Sequence, residues 1–305
     1  MKILVTGGLG AVGSPLVKIL RQRNNDVWVI DKPHNHDSKY FRCDIGEYRQ
    51  LESVFEKEHF DLIYNLAAEF GRYNGEDFYE TLWKSNVIGT KNMIKMQEKY
   101  RFKLVHFSSS EVYGDYKGEM IEDVLEKYPI RQLNDYAISK WVNEMQILNS
   151  IDRFNTETVI TRLFNTYGPG EYYAPYRSMV CIFTYCALHN LTYQVYLNHH
   201  RTSTYIDDCV NALANISDNF KPGEVYNICG DEYHDIKTIS DIILNYLGKD
   251  DSLVKYSSIE KYNTLDKKGN NEKAKRDLNY KTTVPLKLGI TKTIEWQKKI
   301  YFSSN

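Results

Sequence analysis

The sequence predicts an α/β fold in which a doubly wound parallel sheet is joined to a smaller, intertwined C-terminal lobe. Two observations support this prediction: candidate strands and helices alternate through residue 165, and the first strand passes directly into a glycine-rich turn. Regular alternation is typical of a parallel sheet covered by helices on both faces. After Gly168 the alternation weakens, yet no flexible linker appears, so we expect the second lobe to interleave with the first.

The individual elements follow from the spacing of apolar residues. Short runs rich in β-branched and aromatic residues indicate strands, whereas apolar residues at three- and four-residue spacing indicate helices. Strands are predicted at 2–6, 26–31, 40–43, 61–66, 103–108 and 157–164. The helices between them are predicted at 12–23, 47–57, 76–99 and 135–150. Beyond this region we predict a helix at 178–189, a short strand at 193–196, the segment YNICG at 226–230, and helices at 236–248 and 285–299.

The glycine-rich turn is the first candidate binding site. The strand KILVT leads into GGLGAVG, a helical pattern follows, and the next strand ends at Asp31. In this order of elements, the turn allows the backbone to approach a pyrophosphate closely, and the start of the helix directs its dipole toward the anion. We therefore predict a Rossmann-type dinucleotide site. The turn residues expected to bind it are Gly7, Gly10, Ala11, Val12 and Gly13.

Asp31 indicates which dinucleotide binds. A carboxylate at the end of the second strand accepts hydrogen bonds from the adenosine ribose hydroxyls and repels a 2′-phosphate, so NAD is favoured over NADP. Lys32 weakens this preference, because its cation could partly neutralise a phosphate. A capping or turn role also fits an aspartate two positions before Pro33.

Two further segments carry reactive side chains, SSSEVYG from Ser108 to Gly114 and YAISK from Tyr136 to Lys140. If YAISK is helical, Tyr136 and Lys140 lie at i and i+4 on one face, so a cation stands beside a phenol and favours its ionised form. Lowering the pKa of a phenol from ~10 to ~7 requires roughly 4 kcal/mol, which is the limit of what one lysine supplies. The pair therefore predicts a general base that works beside the positive charge of an oxidised nicotinamide.

The composition excludes several other classes of protein. Lys and Arg number 39 against 40 Asp and Glu, which gives no electrostatic footprint for nucleic acid or a membrane surface. The longest apolar segment, SMVCIFTYCAL, is shorter than the roughly 20 residues of a membrane span, and no signal peptide precedes the first strand, so we expect a cytoplasmic protein. The five cysteines and the paired histidines lack the spacing of a disulfide framework or a metal site, so no metal is predicted.

Over nearly its full length the sequence resembles the extended short-chain dehydrogenase/reductases, in the branch of NAD-dependent nucleotide-sugar epimerases, dehydratases and decarboxylases. The resemblance rests on collinear motifs, which are GGLGAVG, Asp31, CDI, NLAAE, NVIGT, SSSEVYG, YAISK, RLFNTYGPG, RTSTYIDD and KAKRDL. It implies an NAD-binding Rossmann domain over 1–167 and about 205–226, and a nucleotide-sugar-binding lobe over 168–204 and 227–305. It also implies a nucleotide diphosphosugar substrate, and a homodimer formed through the helices near 86–99 and 137–151.

The resemblance assigns roles around the cofactor position by position. Tyr136 would remove the proton of a sugar hydroxyl, Lys140 would bind the nicotinamide ribose, and Ser109 falls where the family keeps a Ser or Thr bonded to the reacting oxygen. Asp44 and Ile45 would contact the adenine. The remaining expected cofactor contacts are Lys32, Leu66, Ala67, Ala68 and Ser108.

A second group of residues is expected to hold the substrate. Asn165, Arg177 and Arg201 resemble the residues that bind the nucleotide diphosphate, a task that suits the guanidinium fork. Tyr196 would line the same pocket.

Two loops, 67–83 and GEYYAPYR, match the family poorly, which suggests an unusual sugar. Glu69, Arg72 and Tyr172 are our candidates in these loops for recognising it.

Glu111 is the residue that separates the possible reactions. Many simple 4-epimerases resemble this stretch but carry a small or uncharged residue there, whereas dehydratases and decarboxylases place an acid that can take the C5 proton of a 4-keto sugar or assist carboxylate loss. Ser110 replaces the aspartate of one dehydratase branch, and Lys267 and Lys268 lie where decarboxylases carry an arginine. We predict a dehydratase- or decarboxylase-type reaction with internal recycling of NAD. A C4-epimerase, a ketoreductase and a non-catalytic dinucleotide-binding protein are the alternatives.

Overall fold

A seven-stranded sheet forms the centre of the structure, a computed structural model that describes residues 1–302. The strands are β1 (Lys2–Thr6), β2 (Asp26–Asp31), β3 (Tyr40–Arg42), β4 (Leu62–Asn65), β5 (Lys103–Ser109), β6 (Glu119–Met120), β7 (Thr158–Leu163), β8 (Thr166–Tyr167), β9 (Tyr193–Tyr196), β10 (His200–Thr202), β11 (Thr204–Tyr205), β12 (Val225–Ile228), β13 (Tyr233–Asp235), β14 (Val254–Ser257) and β15 (Asp266–Gly269). The helices are α1 (Gly13–Gln22), α2 (Tyr48–Lys57), α3 (Arg72–Asp77), α4 (Tyr79–Trp83), α5 (Gly89–Tyr100), α6 (Val124–Lys127), α7 (Asp135–Phe154), α8 (Met179–Leu188), α9 (Ile206–Ile216), α10 (Ile236–Leu247), α11 (Glu272–Leu278) and α12 (Leu286–Phe302).

The strand order of the central sheet is β12-β7-β5-β4-β1-β2-β3, and all neighbouring strands are parallel. The predicted doubly wound α/β fold is therefore confirmed. The chain first builds outward from β1 to β3 and then returns to add β4 on the other side of β1. Ligands of such sheets bind at the carboxyl ends of the strands, where the order reverses.

Helices cover both faces of this sheet and bury its apolar side chains. On one face, α1 and α9 contribute Leu16, Leu20 and Leu213 to the larger core. On the other face, α2 and α5 contribute Phe55 and Met93 to a second core. Each fully buried side chain of this size stabilises the fold by roughly 1.5–3 kcal/mol. The sheet is thus held firmly from both sides, and its strand ends form a stable base for a binding site.

The C-terminal lobe and the sheet domain share strands. Its small sheet has the order β13-β10-β15-β6, so that β6, from the first half of the chain, pairs with β15. The strand β12 pairs with β7 and belongs to the central sheet, although it crosses the predicted domain boundary between residues 226 and 227. We therefore propose that the lobe resumes after Ile228, with the other predicted boundaries unchanged.

The predicted helix at 76–99 is the element that differs most from the structure. It is divided into α3, α4, a π-helical turn at Lys84–Ile88 and α5. The break falls at Phe78, which has φ −133° and ψ 50°. Within the π-helical turn, Asn86 bonds both the N–H and the C=O of Glu69. The irregular turn therefore fixes the loop that follows β4, which a regular helix pattern could not predict.

Candidate active site

A cavity of about 690 Å³ extends along the carboxyl ends of the parallel strands and into the C-terminal lobe. Its lining includes the glycine turn, the end of β2, the YAISK helix and the strand β10. Every residue predicted for the site lines this cavity except Tyr172. The structure therefore brings the predicted cofactor and substrate residues into one continuous space.

The glycine turn is too tightly packed to accept side chains at two positions. Gly7 has φ +66°, and a Cβ atom there would lie 2.9 Å from the backbone nitrogen of Ala67. A Cβ atom on Gly13 would lie 2.2 Å from the carbonyl oxygen of Gly7. The helix α1 begins at Gly13 and has no acidic residue in its first turn. This cradle fits a dinucleotide pyrophosphate, which approaches backbone N–H groups at a helix start.

Asp31 both holds the glycine turn and lines the cavity. Its carboxylate accepts hydrogen bonds from the backbone N–H of Leu9 at 3.0 Å and from that of Lys32 at 2.8 Å. A carboxylate has about four acceptor positions. Asp31 can therefore serve as a turn residue and still accept bonds from ribose hydroxyls, so the two sequence-based interpretations are compatible.

Tyr136 and Lys140 lie on the same face of α7. The ammonium nitrogen of Lys140 is 5.9 Å from the centre of the Tyr136 ring and donates a hydrogen bond to the carbonyl oxygen of Phe107 at 2.8 Å. Burial raises the pKa of Tyr136 to about 12, against the opposing effect of a hydrogen bond with Ser109. Burial likewise lowers the pKa of Lys140 to about 8. Ionising Tyr136 therefore requires a further positive charge besides Lys140, which is the role that we predicted for an oxidised nicotinamide.

A buried ion pair between Glu144 and Arg162 lies next to the face of α7 that carries Tyr136 and Lys140. Glu144, four residues after Lys140, accepts a hydrogen bond from the hydroxyl of Ser108, and its Oε2 atom lies 2.7 Å from Nη2 of Arg162. Arg162 also donates to the hydroxyl of Tyr113 at 3.0 Å. The Ser108 hydroxyl, predicted to contact the cofactor, is thus directed to Glu144. Sequence reasoning missed Glu144, although continuing the four-residue spacing of the Tyr/Lys pair would have found it.

Glu111 lies in a 3-10 turn at Ser110–Tyr113 and is bound by two cations. It accepts a hydrogen bond from the ammonium group of Lys267, and its Oε1 atom is 3.7 Å from Nε of Arg72. Burial alone would raise the pKa of Glu111, but Lys267 and Arg72 outweigh it and lower this pKa to about 2. Such a carboxylate is a weak base, which argues against the first of its two predicted roles, taking the C5 proton, and does not bear on the second, assisting carboxylate loss.

Arg72 continues this charged cluster toward the C-terminal lobe. Its Nη2 atom lies 2.8 Å from Oε1 of Glu260, a buried carboxylate between β14 and β15. The guanidinium group of Arg201 donates to the carbonyl oxygen of Leu265 at 2.6 Å. Sequence reasoning missed Glu260, and it had no signal to use, since this residue comes from an irregular segment that only the tertiary fold brings to the cavity.

Three arginines that line the cavity each keep a buried nitrogen without a hydrogen bond to any residue in 1–302. These atoms are Nη1 of Arg72, Nε of Arg177 and Nη2 of Arg201. Leaving a buried charged donor unsatisfied is costly, so such groups indicate the place of an anionic ligand. The charge and the fork geometry of guanidinium groups suit phosphate oxygens.

The other predicted substrate residues are divided between the cavity and the surface. Asn165 lines the cavity and donates to the carbonyl oxygen of Thr202 at 3.1 Å, and Tyr196 also lines it.

Glu69 lines the cavity too, but it forms an ion pair of 3.1 Å with Lys32, beside the expected cofactor site. Tyr172 lies outside, where it is 57% exposed and its ring contacts that of Trp296. The prediction that Tyr172 contacts the sugar is therefore not supported, because its ring packs the loop GEYYAPYR against α12.

Comparison with known proteins identifies the family. Residues 3–229 match the model of the NAD dependent epimerase/dehydratase family. The chain is 27% identical to dTDP-glucose 4,6-dehydratase of Escherichia coli, over 97% of this chain and 93% of that protein. It is also 27% identical to UDP-N-acetyl-alpha-D-glucosaminuronate decarboxylase of Bacillus cytotoxicus, over 98% of each.

A solved structure shows the same fold over its whole length. A dTDP-glucose 4,6-dehydratase from Bacillus anthracis, in complex with NAD, has a TM-score of 0.84 and 26% identity to this chain, and the match covers 99% of this chain and 97% of the other. The family model spans well over half of the sequence. The predicted resemblance of this chain to the extended short-chain dehydrogenase/reductases is therefore confirmed. The chain belongs to the NAD-dependent epimerase/dehydratase family.

Proposed function

We propose that this protein modifies a nucleotide diphosphosugar through a transient 4-keto intermediate, in a dehydratase- or decarboxylase-type reaction. The observation that carries the proposal is the buried charged pair of Glu111 and Lys267 in the same cavity as Tyr136. The two groups are linked through Ser109, whose hydroxyl accepts a hydrogen bond from the backbone N–H of Glu111 at 3.2 Å and is also hydrogen-bonded to Tyr136. Inverting the oxidised carbon itself needs no second proton-transfer group. A charged pair beside Tyr136 therefore supports chemistry at the adjacent carbon.

The cofactor of the proposed reaction is NAD, held by residues of the N-terminal half. The glycine turn would bind its pyrophosphate, Asp31 its adenosine ribose, and Lys140 its nicotinamide ribose. When bound, NAD would accept a hydride from C4 of the sugar and return it later, so that no external reductant is consumed. The relative from Bacillus anthracis, solved in complex with NAD, supports this choice.

The protein's own residues would share the remaining work. Tyr136 would take the proton of the C4 hydroxyl, with Ser109 hydrogen-bonded to the same oxygen. Arg177 and Arg201, each with an unsatisfied buried nitrogen among residues 1–302, would bind the diphosphate. These roles keep the sugar fixed while its carbon chemistry proceeds.

We further propose a homodimer formed through α5, α7 and the π-helical turn before α5. Four apolar side chains of this region are at least one-third exposed, namely Ile88 (50%), Ile138 (36%), Met145 (39%) and Leu148 (40%). An exposed apolar face of this kind is typical of a subunit interface. Light scattering at micromolar concentration should give twice the mass of the chain, and a monomeric mass would contradict this proposal.

The proposed location is the cytoplasm. All five cysteines are free and buried, which suits a reducing compartment. Among residues 1–302, none of the helices combines the length and the apolar character needed to cross a membrane.

The experiment that tests the reaction is a product screen by mass spectrometry. The protein, without added cofactor, is incubated with UDP-, dTDP- and GDP-linked hexoses and hexuronates. Loss of water or of carbon dioxide from one of them is the expected result. An unchanged mass with an inverted hydroxyl would indicate an epimerase, and stoichiometric consumption of added NADH would indicate a ketoreductase.

Two variants complete this test. Tyr136→Phe should lower turnover by about 10²–10⁴-fold, the usual contribution of a general acid–base group. Glu111→Gln should also be impaired, because it leaves the buried ammonium of Lys267 without its counterion. Full activity of Glu111→Gln would leave epimerisation as the better function.

A further inference from the structure

We infer that Lys267, and not Glu111, exchanges a proton with C5, the carbon next to the transient ketone. This inference rests on the proposed function and extends it by naming the acid–base group of the second half-reaction. Lys267 was not among the catalytic residues predicted from the sequence.

The strand β15 carries Lys267 to the cavity wall. Lys267 stands opposite Arg201 in the parallel pairing of β15 with β10, and its side chain is only 2% exposed. Its ammonium group donates a hydrogen bond to Oε1 of Glu111. Lys267 lines the same cavity as Tyr136 and Ser109, the groups expected at the C4 oxygen. A cation placed beside Glu111 is therefore within the region where the adjacent carbon would bind.

The charged groups around Lys267 come from four other segments. Glu111 contacts it directly, while Arg72 and Arg201 are close enough to influence its protonation. Glu260 belongs to the same cluster through its ion pair with Arg72. Three cations thus share two carboxylates, and the cluster carries one excess positive charge when all five groups are ionised.

This environment makes Lys267 a better proton-transfer group than Glu111. Burial lowers the pKa of Lys267 to about 8, opposed by the charge of Glu111 and assisted by Arg201 and Arg72. A lowered pKa brings the amine of Lys267 closer to neutral pH, where an acid–base group works most efficiently. Glu111, with its pKa lowered to about 2 despite burial, stays ionised and serves to keep the ammonium group in place.

The proposed proton transfers balance for both reaction types. In decarboxylation, the C5–C6 bond breaks, carbon dioxide leaves, and its electron pair forms the enolate. The ammonium of Lys267 then gives a proton to C5, so that an N–H bond breaks and a C–H bond forms. In dehydration, the neutral amine of Lys267 takes the C5 proton and then gives it to the C6 hydroxyl, so that the C6–O bond breaks and water leaves. The hydride taken from C4 would then be returned to C6 of the resulting 4-keto-5,6-ene, while Lys267, protonated by solvent, gives C5 a proton and becomes the neutral amine again. In decarboxylation, solvent returns the proton to the amine, and the hydride would be returned to C4.

The variant Lys267→Arg separates proton transfer from charge. Arginine keeps the positive charge and can pair with Glu111, but it does not deprotonate in proteins. We expect turnover to fall by at least about 100-fold. Oxidation at C4 should continue, so reduced nicotinamide should accumulate by its absorbance, and in D₂O no deuterium should enter C5. The matched control is Lys268→Arg, on the next residue of β15, which is half-exposed and near Glu119 and should behave as wild type.

An NMR titration tests Lys267 without any substrate. Lysines are labelled with ¹³C at Cε, and the Lys267 signal is assigned by its absence from Lys267→Arg. We expect a titration midpoint near pH 8, which moves to lower pH in Glu111→Gln because Glu111 raises the pKa of this amine. A midpoint near the ordinary lysine value of ~10.4 would overturn the inference.

The two proposals fail in different ways. If the wild-type protein consumes none of the sugar nucleotides in the screen, the proposed function fails. The NMR titration then remains the test of whether the pKa of Lys267 is lowered. If wild type is active and Lys267→Arg retains more than about one-third of its turnover, only the inference fails. Thermal unfolding of both arginine variants should match that of wild type, which shows that any loss of activity is not a loss of folding.

Discussion

The two halves of the cavity are built in different ways. The proposed cofactor half is centred on one continuous stretch, β1 to β2, and its critical features are backbone atoms packed around Gly7 and Gly13. The sugar half is made of charged side chains from distant segments, among them Arg72, Glu111 and Lys267. Backbone geometry can hold the part that all members of a family share. Side-chain charges can be changed one at a time, so we expect substrate recognition to vary there.

The largest expected effect comes from filling the backbone cradle. In Gly13→Ala the new Cβ atom would lie 2.2 Å from the carbonyl oxygen of Gly7, and backbone cannot move aside without opening the turn. We expect the Kd for NAD, measured by calorimetry, to rise by about 100-fold or more, which corresponds to about 2.7 kcal/mol. Gly10→Ala is the graded control, since its Cβ would lie at 3.2 Å. Equal NAD binding by wild type and Gly13→Ala would refute the backbone account of this half.

The same contrast decides what could be predicted from the sequence. The strand, glycine turn and helix are contiguous, so their local patterns predicted both the fold class, which the structure confirms, and the NAD site that we propose. The Tyr136–Lys140 pair was found for the same reason, because its two residues share one helical face. Glu260 and the contact of Lys267 with Glu111 could not be found, since they depend on how β15 and the segment before it are folded against the sheet.

The direction in which the pKa of Tyr136 shifts could not be predicted from the sequence either. Proximity of Lys140 was foreseen, but the degree of burial, which raises the pKa of the phenol to about 12, depends on the closed walls of the cavity. Likewise Tyr172 belongs to an aromatic loop that could face either way, and its contact with Trp296 on α12 turned it outward.

The second prediction concerns a structural link between the two halves of the cavity. Arg162 links them, because its partner Glu144 binds Ser108 at the end of β5, and Arg162 itself binds Tyr113 beside Glu111. Glu144→Gln leaves the guanidinium buried without its counterion, and we expect the free energy of unfolding in urea to fall by about 3–5 kcal/mol. The double variant Glu144→Gln/Arg162→Met should recover part of this loss. A change below about 1 kcal/mol in Glu144→Gln would mean that the pair is not a structural link.

A third prediction is confined to the sugar half. Glu260→Gln removes the carboxylate that orients Arg72, a charge-assisted bond of the kind worth about 1.5–3 kcal/mol. We expect the KM for the sugar nucleotide to rise about tenfold, while the Kd for NAD stays unchanged. Glu58→Gln is the matched control, because it removes a partly exposed pair with Lys2, and neither residue lines the cavity. An effect on NAD binding would show that the two halves are coupled.

The smallest effect is expected at Asp31, the one charged side chain that we propose selects NAD over NADP. In Asp31→Asn the amide oxygen can still accept the bond from the N–H of Leu9, so the turn should be kept. The negative charge that repels a 2′-phosphate is lost. We therefore expect NADP to bind about tenfold more tightly, with the Kd for NAD within about threefold of wild type.

Asp26→Asn, at the other end of β2, is the control for a change of net charge. Asp26 is partly exposed and paired with Lys39, so neither cofactor should respond to its loss. If Asp31→Asn leaves the NAD to NADP ratio unchanged, the carboxylate acts only through Leu9 and Lys32, as a turn residue. If the ratio shifts in Asp31→Asn alone, backbone atoms hold the cofactor, and a single charge on this side selects which cofactor is held.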